Sequence, residues 1–221
     1  FPDWRKHVEV DNVEGINATD IRHALYEGSA APIYNLMPRA SVKVLEKTWS
    51  ANDDFRELEA EHSEIKDYRE KSQMVGFSFP SVFVTTDAVI TQSGYVLLIK
   101  RGQFPYKGCW ALPGGYIDQG QFVEANMIKE LREETCIKIP EKVLLGSIKA
   151  RKTFDHPERD PRGRVITHGF HIDLGFPDEK LPKVKGGDDA AEAKWFLLSE
   201  VRPEMMAFDH YHVLKHFIPT Y

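Results

Sequence analysis

Between Pro113 and Ile137 the chain reads PGGYIDQGQFVEANMIKELREETCI, and no other stretch restricts its fold and chemistry as much. Glu130, Glu133 and Glu134 stand at i, i+3 and i+4, so a helix over this run collects them on one face. Three carboxylates on neighbouring turns repel one another. A divalent cation such as Mg²⁺ is the simplest group that turns this repulsion into a binding site. Pro113-Gly114-Gly115 precedes the helix by several residues, and glycine there permits a tight turn whose backbone approaches a ligand or offers a carbonyl to a metal. Loop and helix together predict a cradle for a metal and a diphosphate. The plainer reading is a solvated acidic helix, because Glu-rich runs such as KELREET also cover surfaces. The glycine turn at the right distance, with a strand pattern before it, favours the cradle.

Composition bounds the remainder. A chain of 221 residues with 42% hydrophobic content can build a normal core in one large or two small domains. Its formal charge of −5 argues against nonspecific binders of nucleic acid or of membrane surfaces, which carry basic patches, so any phosphate affinity is local. The two cysteines, Cys109 and Cys136, make no disulfide framework, which points to a reducing, cytoplasmic setting. No apolar run reaches the roughly 18 residues that span a bilayer, and the opening FPDWRKHVEV lacks the character of a signal peptide. Without an initiator Met, the chain is expected to be a fragment or a processed product.

Three regions follow one another. Residues 1–72 read as helical: INATDIRHALYEG, PRASVKVLEKTW with Pro38 at a helix start, and the charged NDDFRELEAEHSEIKDYREKS. A polar connection at 73–79 leads into a strand-rich domain over 80–221. There SVFVTTDAVI and GYVLLIK flank the turn TQSG, VLLGSIKA and RVITHGFHIDLGF are expected strands, and KWFLL at 194–198 is another. DHYHVLKHFI closes the chain as a helix. Strands interrupted by one central helix and closed by another predict an α/β fold, a mixed sheet packed between helices.

The run 113–137 resembles the signature of the Nudix hydrolases, G-x5-E-x7-R-E-U-x-E-E-x-G-U with U apolar. Gly115, Glu130, Leu131, Glu133, Glu134 and Ile137 match it; Gln121, Lys129 and Cys136 depart. Cys136 replaces a helix-ending glycine and at worst strains a cap. Lys129 keeps the charge of the usual Arg but loses its fork, which in the family orients a glutamate. Gln121 removes a charge at what the resemblance implies is a supporting position. For the whole domain the resemblance implies the Nudix α/β/α sandwich. It also implies metal held by Glu130, Glu134 and the Gly114 carbonyl, with Glu133 ligating metal or orienting a neighbour. A late acidic loop would help deprotonate the attacking water, and Asp188, Asp189 and Glu192 lie in the matching place; a polar turn before a strand is the plain alternative.

RKTFDHPERDPRGRVITHGF places Arg159, Arg162 and Arg164 on a backbone constrained by Pro157, Pro161 and Gly163. Guanidinium forks suit a diphosphate, although the same residues can pair with Asp155, Glu158 and Asp160. The DPRGR run with its following apolar strand resembles Nudix enzymes that cleave ADP-ribose, which favours contact with substrate. Trp110 and Phe154 are candidates to stack on adenine, or are ordinary core aromatics.

Ile16-Asn17-Ala18-Thr19-Asp20-Ile21-Arg22 resembles the Ser/Thr-x-x-Arg motif of nucleotidylyltransferases, in which Thr19 and Arg22 would face ATP phosphates from a helix N-terminus; a Thr or Asn there is also an ordinary cap. Joined to the domain that follows, nearly the whole chain resembles the C-terminal part of the bifunctional nicotinamide mononucleotide adenylyltransferase/Nudix ADP-ribose pyrophosphatases. Residues 1–72 would then be a small helical subdomain left from a nucleotidylyltransferase Rossmann-like domain. His-x-Gly-His and a phosphate loop after an opening strand do not occur in the sequence, so no adenylyl transfer is expected. The expected partners are an N-terminal adenylyltransferase half or a second copy of the chain. The resemblance thus implies Mg²⁺- or Mn²⁺-dependent hydrolysis of ADP-ribose to AMP and ribose 5-phosphate. Its rivals are hydrolysis of NADH or a dinucleotide, and a non-catalytic ADP-ribose sensor.

Overall fold

The structure is a computed structural model; it describes residues 18–28, 37, 39–45, 47, 52–72, 81–175 and 180–219. The connection expected at 73–79 lies outside the described residues, as do Ile16 and Asn17. Two compact units are present, Phe1–Ser63 and Glu64–Tyr221.

In the first unit, helices α1 (Ala18–Tyr26) and α2 (Arg39–Val44) precede α3 (Asp53–Ser72), whose last turns belong to the second unit. Buried Ala24 and Phe55 make a small core, and the Tyr26 ring meets Phe55 at 5.5 Å and His62 at 5.2 Å. Asp53 and Asp54 open α3 while Arg69 and Lys71 close it, so each pair of charges complements the helix dipole.

The second unit is built on strands β1 (Val82–Gln92), β2 (Tyr95–Arg101), β3 (Trp110–Ala111), β4 (Gly114–Tyr116), β5 (Ile148–Phe154), β6 (Arg164–Asp173) and β7 (Ala190–Leu197). Its helices are α4 (Val123–Thr135), α5 (Glu141–Gly146) and α6 (His210–Phe217). Strand order is β3-β2-β1-β6-β5, with β4 also paired to β1 and β7 to β2. Among the described strand pairs β1–β6 alone is parallel, so the sheet is mixed as the sequence predicts.

Strand periodicity explains the layering. Ala88, Ile90 and Leu97 point to one face, where they pack with Met127, Ile128 and Leu131 of α4 and Leu144 of α5. Val89, Val96 and Leu98 point to the other, against Val213 and Leu214 of α6. The result is an α/β/α sandwich. On α4 the apolar residues Met127, Ile128 and Leu131 are all nearly inaccessible, and burying a side chain such as Leu131 contributes about 1.5–3 kcal/mol. That burial fixes the helix's rotation and so decides where its glutamates point.

One element departs from the sequence reading. VLLG, expected to be strand, forms the end of α5, and only Ile148 onward is strand. Pro140 precedes the helix with φ −57°, and its carbonyl accepts the N–H groups of Val143 and Leu144. An apolar run this short satisfies helix and strand patterns equally, and the proline start decides the matter. No helix among the described residues is long and apolar enough to cross a membrane. Neither Cys109 nor Cys136 is joined in a disulfide.

Candidate active site

The glycine turn and α4 meet edge to edge. Gly114 N–H donates to Glu134 Oε2 at 2.8 Å, tying the turn to the last full turn of the helix. Any side chain at Gly114 would strike the backbone of Thr86 and Asp87, and one at Gly115 would strike the Glu130 carboxylate. Gly114 is therefore required by close approach to backbone, whereas at Gly115 the neighbour is the end of a flexible side chain. Glu134 is buried, and desolvation, with Glu130 and Asp87 adding to it against the Gly114 hydrogen bond, pushes its carboxyl up to about 8. Burial raises Glu130 as well, opposed by Lys129. These two carboxylates stand one turn apart, facing a cavity of about 340 Å³.

Glu133 points elsewhere. It is exposed, and its Oε2 lies 2.9 Å from Lys129 Nζ, which also reaches Asp118 at 3.2 Å and Glu130 at 3.5 Å. Cys136 caps α4 with φ 51° in the left-handed region, donating its N–H to Arg132 O, so the departure from glycine does sit at a strained position.

Strand β1 supplies the opposite wall. Thr85 and Asp87, two residues apart, share one face of the strand. Asp87 accepts from Thr167 Oγ1 at 2.6 Å and has Arg159 Nη2 at 3.7 Å and His210 Nε2 at 3.8 Å. His210 is buried and its Nδ1 accepts the Leu112 N–H at 2.9 Å; desolvation lowers its pKa, so the ring is neutral. Thr85 Oγ1 is buried without a hydrogen-bond partner, in the lining of the cavity. A native fold rarely leaves such an atom unmatched unless a ligand or water completes it.

The three arginines of the 155–164 loop have three different fates. Arg159 is buried, its Nε and Nη2 clamped on the Asp209 carboxylate at 3.0 and 2.7 Å. Arg162 grips Asp160 with Nε at 3.0 Å and Nη2 at 2.7 Å, and lies over the rings of Tyr68, Tyr116 and Phe208 at 5.3–5.5 Å. Arg164 donates to the Asp155 carbonyl and lines a second cavity. Arg159 and Arg162 line the first cavity.

The late acidic loop is docked on the C-terminal end of α4. Lys185 N–H donates to Thr135 O and Gly187 N–H to Glu134 O, satisfying carbonyls that the helix leaves open. Asp188, with φ 48°, and Asp189 line the cavity. Glu192 does not reach it: it stands exposed on β7, opposite Lys100. Trp110 is also elsewhere, edge-on to Phe196 at 4.5 Å in the core under α6. Phe154 packs on Phe217 at 5.8 Å and lines the second cavity, of about 890 Å³, with Tyr106, His156 and His212. That cavity shares Arg159 and Phe208 with the first. In the first unit, Arg22 is exposed on α1; the side chain of Thr19 lies outside the described residues.

Sequence reasoning missed Asp87, Arg101, Tyr116, Phe208 and His210, all lining the first cavity. Arg101 spends Nε on Pro105 O at 2.8 Å and lies 4.9 Å over Phe208, with Glu134, Asp160 and Asp189 near enough to act on its charge. Phe208 itself adopts φ 51°, unusual for an aromatic residue and frequent where function fixes the backbone.

Among the described residues no three Asp, Glu, His or Cys side chains converge as a complete metal cage. The donor set instead fits a hard cation of the Mg²⁺ or Mn²⁺ kind, which one or two carboxylates hold while water and substrate phosphates fill the remaining positions. Glu130 and Glu134 are such a pair, and the missing side chain at Gly115 leaves room for the Glu130 carboxylate.

The NUDIX domain family matches residues 82–217. An ADP-ribose pyrophosphatase of Methanocaldococcus jannaschii is 38% identical over 135 residues, 61% of this chain and 72% of that protein. The ADPR responsive transcriptional repressor NtrR of Acinetobacter baylyi is 31% identical over 143 residues, 62% of this chain and 53% of that one. A crystal structure of a bifunctional NMN adenylyltransferase/ADP ribose pyrophosphatase from Francisella tularensis, complexed with AMP and a Mn ion, matches with TM-score 0.79 at 29% identity, over 99% of this chain and 65% of that one. The chain thus spans less than two thirds of the bifunctional protein's length.

Proposed function

The chain belongs to the Nudix family, and from that premise we propose that it hydrolyses ADP-ribose to AMP and ribose 5-phosphate with Mg²⁺ or Mn²⁺. The observation that carries the proposal is one cavity in which the paired carboxylates of Glu130 and Glu134 face Arg101, Arg162 and the unmatched hydroxyl of Thr85. Acid to hold a cation and guanidinium to hold phosphate are the two halves of a diphosphate site. The likeness to an ADP-ribose pyrophosphatase supports the choice of substrate.

Glu130, Glu134 and the Gly114 carbonyl would hold the ion, which supplies charge neutralisation and a more acidic water. The chain's own groups do the rest. Arg162, already fixed by Asp160 and three rings, presents its charge without the ordering cost that a free side chain incurs. Arg101 offers a second guanidinium across the cavity. Asp188 and Asp189 line the same cavity, which supports reading one of them as the base for the attacking water. The aromatic rims of the second cavity, Phe154, Tyr106 and Phe208, suit the nucleoside end. Helices α1 to α3 are read as the remnant of a nucleotidylyltransferase domain, with Thr19 and Arg22 as vestiges of its phosphate-binding turn.

A sensor that binds ADP-ribose without cleaving it is the second reading, favoured by the likeness to a transcriptional repressor and by Gln121. Chromatography of ADP-ribose, NADH, dinucleotides and nucleoside triphosphates after incubation with the purified chain and Mg²⁺ separates the two. ADP-ribose should turn over fastest. Tight binding of ADP-ribose with no turnover of any compound would select the sensor.

A further inference from the structure

The loop between β4 and α4 contains a carboxylate that the signature does not ask for. Asp118 and Gln121 form the two ends of a turn: Gln121 N–H donates to Asp118 O at 3.1 Å, and Gly120 takes φ +86° between them. Gln121 is exposed, whereas Asp118 lines the cavity beside Glu130 and Glu134. The position of Asp118 is set from beneath. Its N–H donates to Oδ1 of Asn126 at 3.0 Å, and Asn126, wholly buried in α4, donates from Nδ2 to Tyr116 O at 3.1 Å. Side-chain and backbone anchors thus hold the loop at a fixed height over the helix.

From that anchor the Asp118 carboxylate reaches Lys129 Nζ at 3.2 Å. The same ammonium meets Glu133 at 2.9 Å and Glu130 at 3.5 Å. An ammonium has three donors and no acceptor, and here three carboxylates surround it. Two of them, Asp118 and Glu133, hold it in place, and its third direction is toward Glu130. The Lys129 charge is thereby pinned beside one face of the Glu130 carboxylate, while Gly115 leaves room for that carboxylate on the cavity side.

We propose that Asp118 supplies the loop carboxylate that position 121 lacks, and that it acts through Lys129 to hold Glu130 facing the cavity. Asp118 is in this proposal a positioning residue, whose carboxylate is engaged by Lys129. The proposal rests on the reading that Glu130 and Glu134 bind the divalent ion. Because Lys129 and Asp118 are 39% and 52% exposed, the clamp adds little to folding stability, and its effect is on the carboxylate it orients.

The test is a titration of the full chain with Mn²⁺ alone, following the loss of the free-ion signal by electron paramagnetic resonance, for the wild type, Asp118→Asn, Asp118→Glu, Lys129→Met and the Asp118→Asn/Lys129→Met pair. Asp118→Asn should weaken Mn²⁺ binding about 10–100-fold at an unchanged melting temperature, as removal of an outer partner of a metal ligand does. Asp118→Glu, which restores the charge, should recover most of the loss. Lys129→Met should lose a similar factor, and the double variant should be no worse than either single one, because both cut the same link. An Asp118→Asn protein that binds Mn²⁺ within about twofold of wild type overturns the clamp but leaves the metal reading standing. Losses that add in the double variant overturn the route through Lys129. Wild type that takes up no Mn²⁺ overturns both readings.

Discussion

The carboxylates of α4 and the arginines of the 155–164 loop meet in one cavity, yet they are furnished in opposite ways. Glu134 accepts one backbone N–H and lies beside Glu130 and Asp87, whose charges Arg101 opposes, and burial pushes its carboxyl up to about 8. Arg159 and Arg162 instead arrive with their charges already matched, each gripping an aspartate through two nitrogens. The difference teaches which side of the cavity is incomplete. A crowded carboxylate pair is completed by a cation; guanidiniums pinned by their own partners are rigid posts, and what they offer a phosphate is position and charge.

On the incomplete side, Glu134→Gln should fold but lower the rate of ADP-ribose hydrolysis roughly 10²–10⁴-fold. Near-normal turnover at saturating Mg²⁺ would remove Glu134 from the metal site. On the furnished side, Arg159→Met strips a buried partner from Asp209 and a neighbour from Asp87. Breaking a buried pair in this way should cost about 3–5 kcal/mol in denaturant unfolding. A loss below about 1 kcal/mol, the range of surface pairs, would show that Arg159 is free to serve substrate.

Arg162→Lys sharpens the same contrast. Lysine cannot reproduce the fork on Asp160 or the stacking on Tyr68, Tyr116 and Phe208, so KM for ADP-ribose should rise up to about tenfold while the melting temperature moves little. An unchanged KM would make the arginine a structural strut alone. The smallest effect belongs to Gln121→Glu. Residue 121 is exposed at the far end of the turn from Asp118, so hydrolysis should stay within about tenfold of wild type in steady-state assays. A large gain from a nearly silent wild type would instead favour the sensor.

Much of the incomplete side was legible in the sequence. Helical spacing brings Glu130 and Glu134 together within one turn, and the glycine turn lies a short loop away, so local geometry is enough. It could not tell that Glu133, one residue from Glu134, belongs to the outer face with Lys129, because that depends on how Leu131 and Met127 seat the helix on the sheet. The furnished side was scarcely legible. The local pairing with Asp160 that the sequence allowed is what Arg162 makes, but the remote partners were hidden: Asp209 for Arg159, and the rings of Tyr68, Tyr116 and Phe208 for Arg162. Asp87 and His210 likewise become neighbours only once β1 and α6 are packed. Trp110, chosen for its closeness to the glycine turn, is claimed by Phe196 across the sheet. Strand pairing and helix docking made these choices, and no local pattern encodes them.

The protonated carboxyl of Glu134 gives the account its most direct test. Its pKa is about 8 in the fold against an ordinary 4.5, so the folded protein binds the proton more tightly. In the metal-free chain this contribution to stability is full below the lower value and is lost as pH rises toward and through the upper one. A cation requires the carboxylate, so binding near pH 7 must expel that proton, and binding well above pH 8 has none to expel. Calorimetric titration with Mn²⁺ in buffers of different ionisation enthalpy measures the proton count. The account predicts release of close to one proton near pH 7, falling toward zero by about pH 9 and absent in Glu134→Gln. Mn²⁺ binding that releases no proton near pH 7, or that is unaffected by Glu134→Gln, would contradict it.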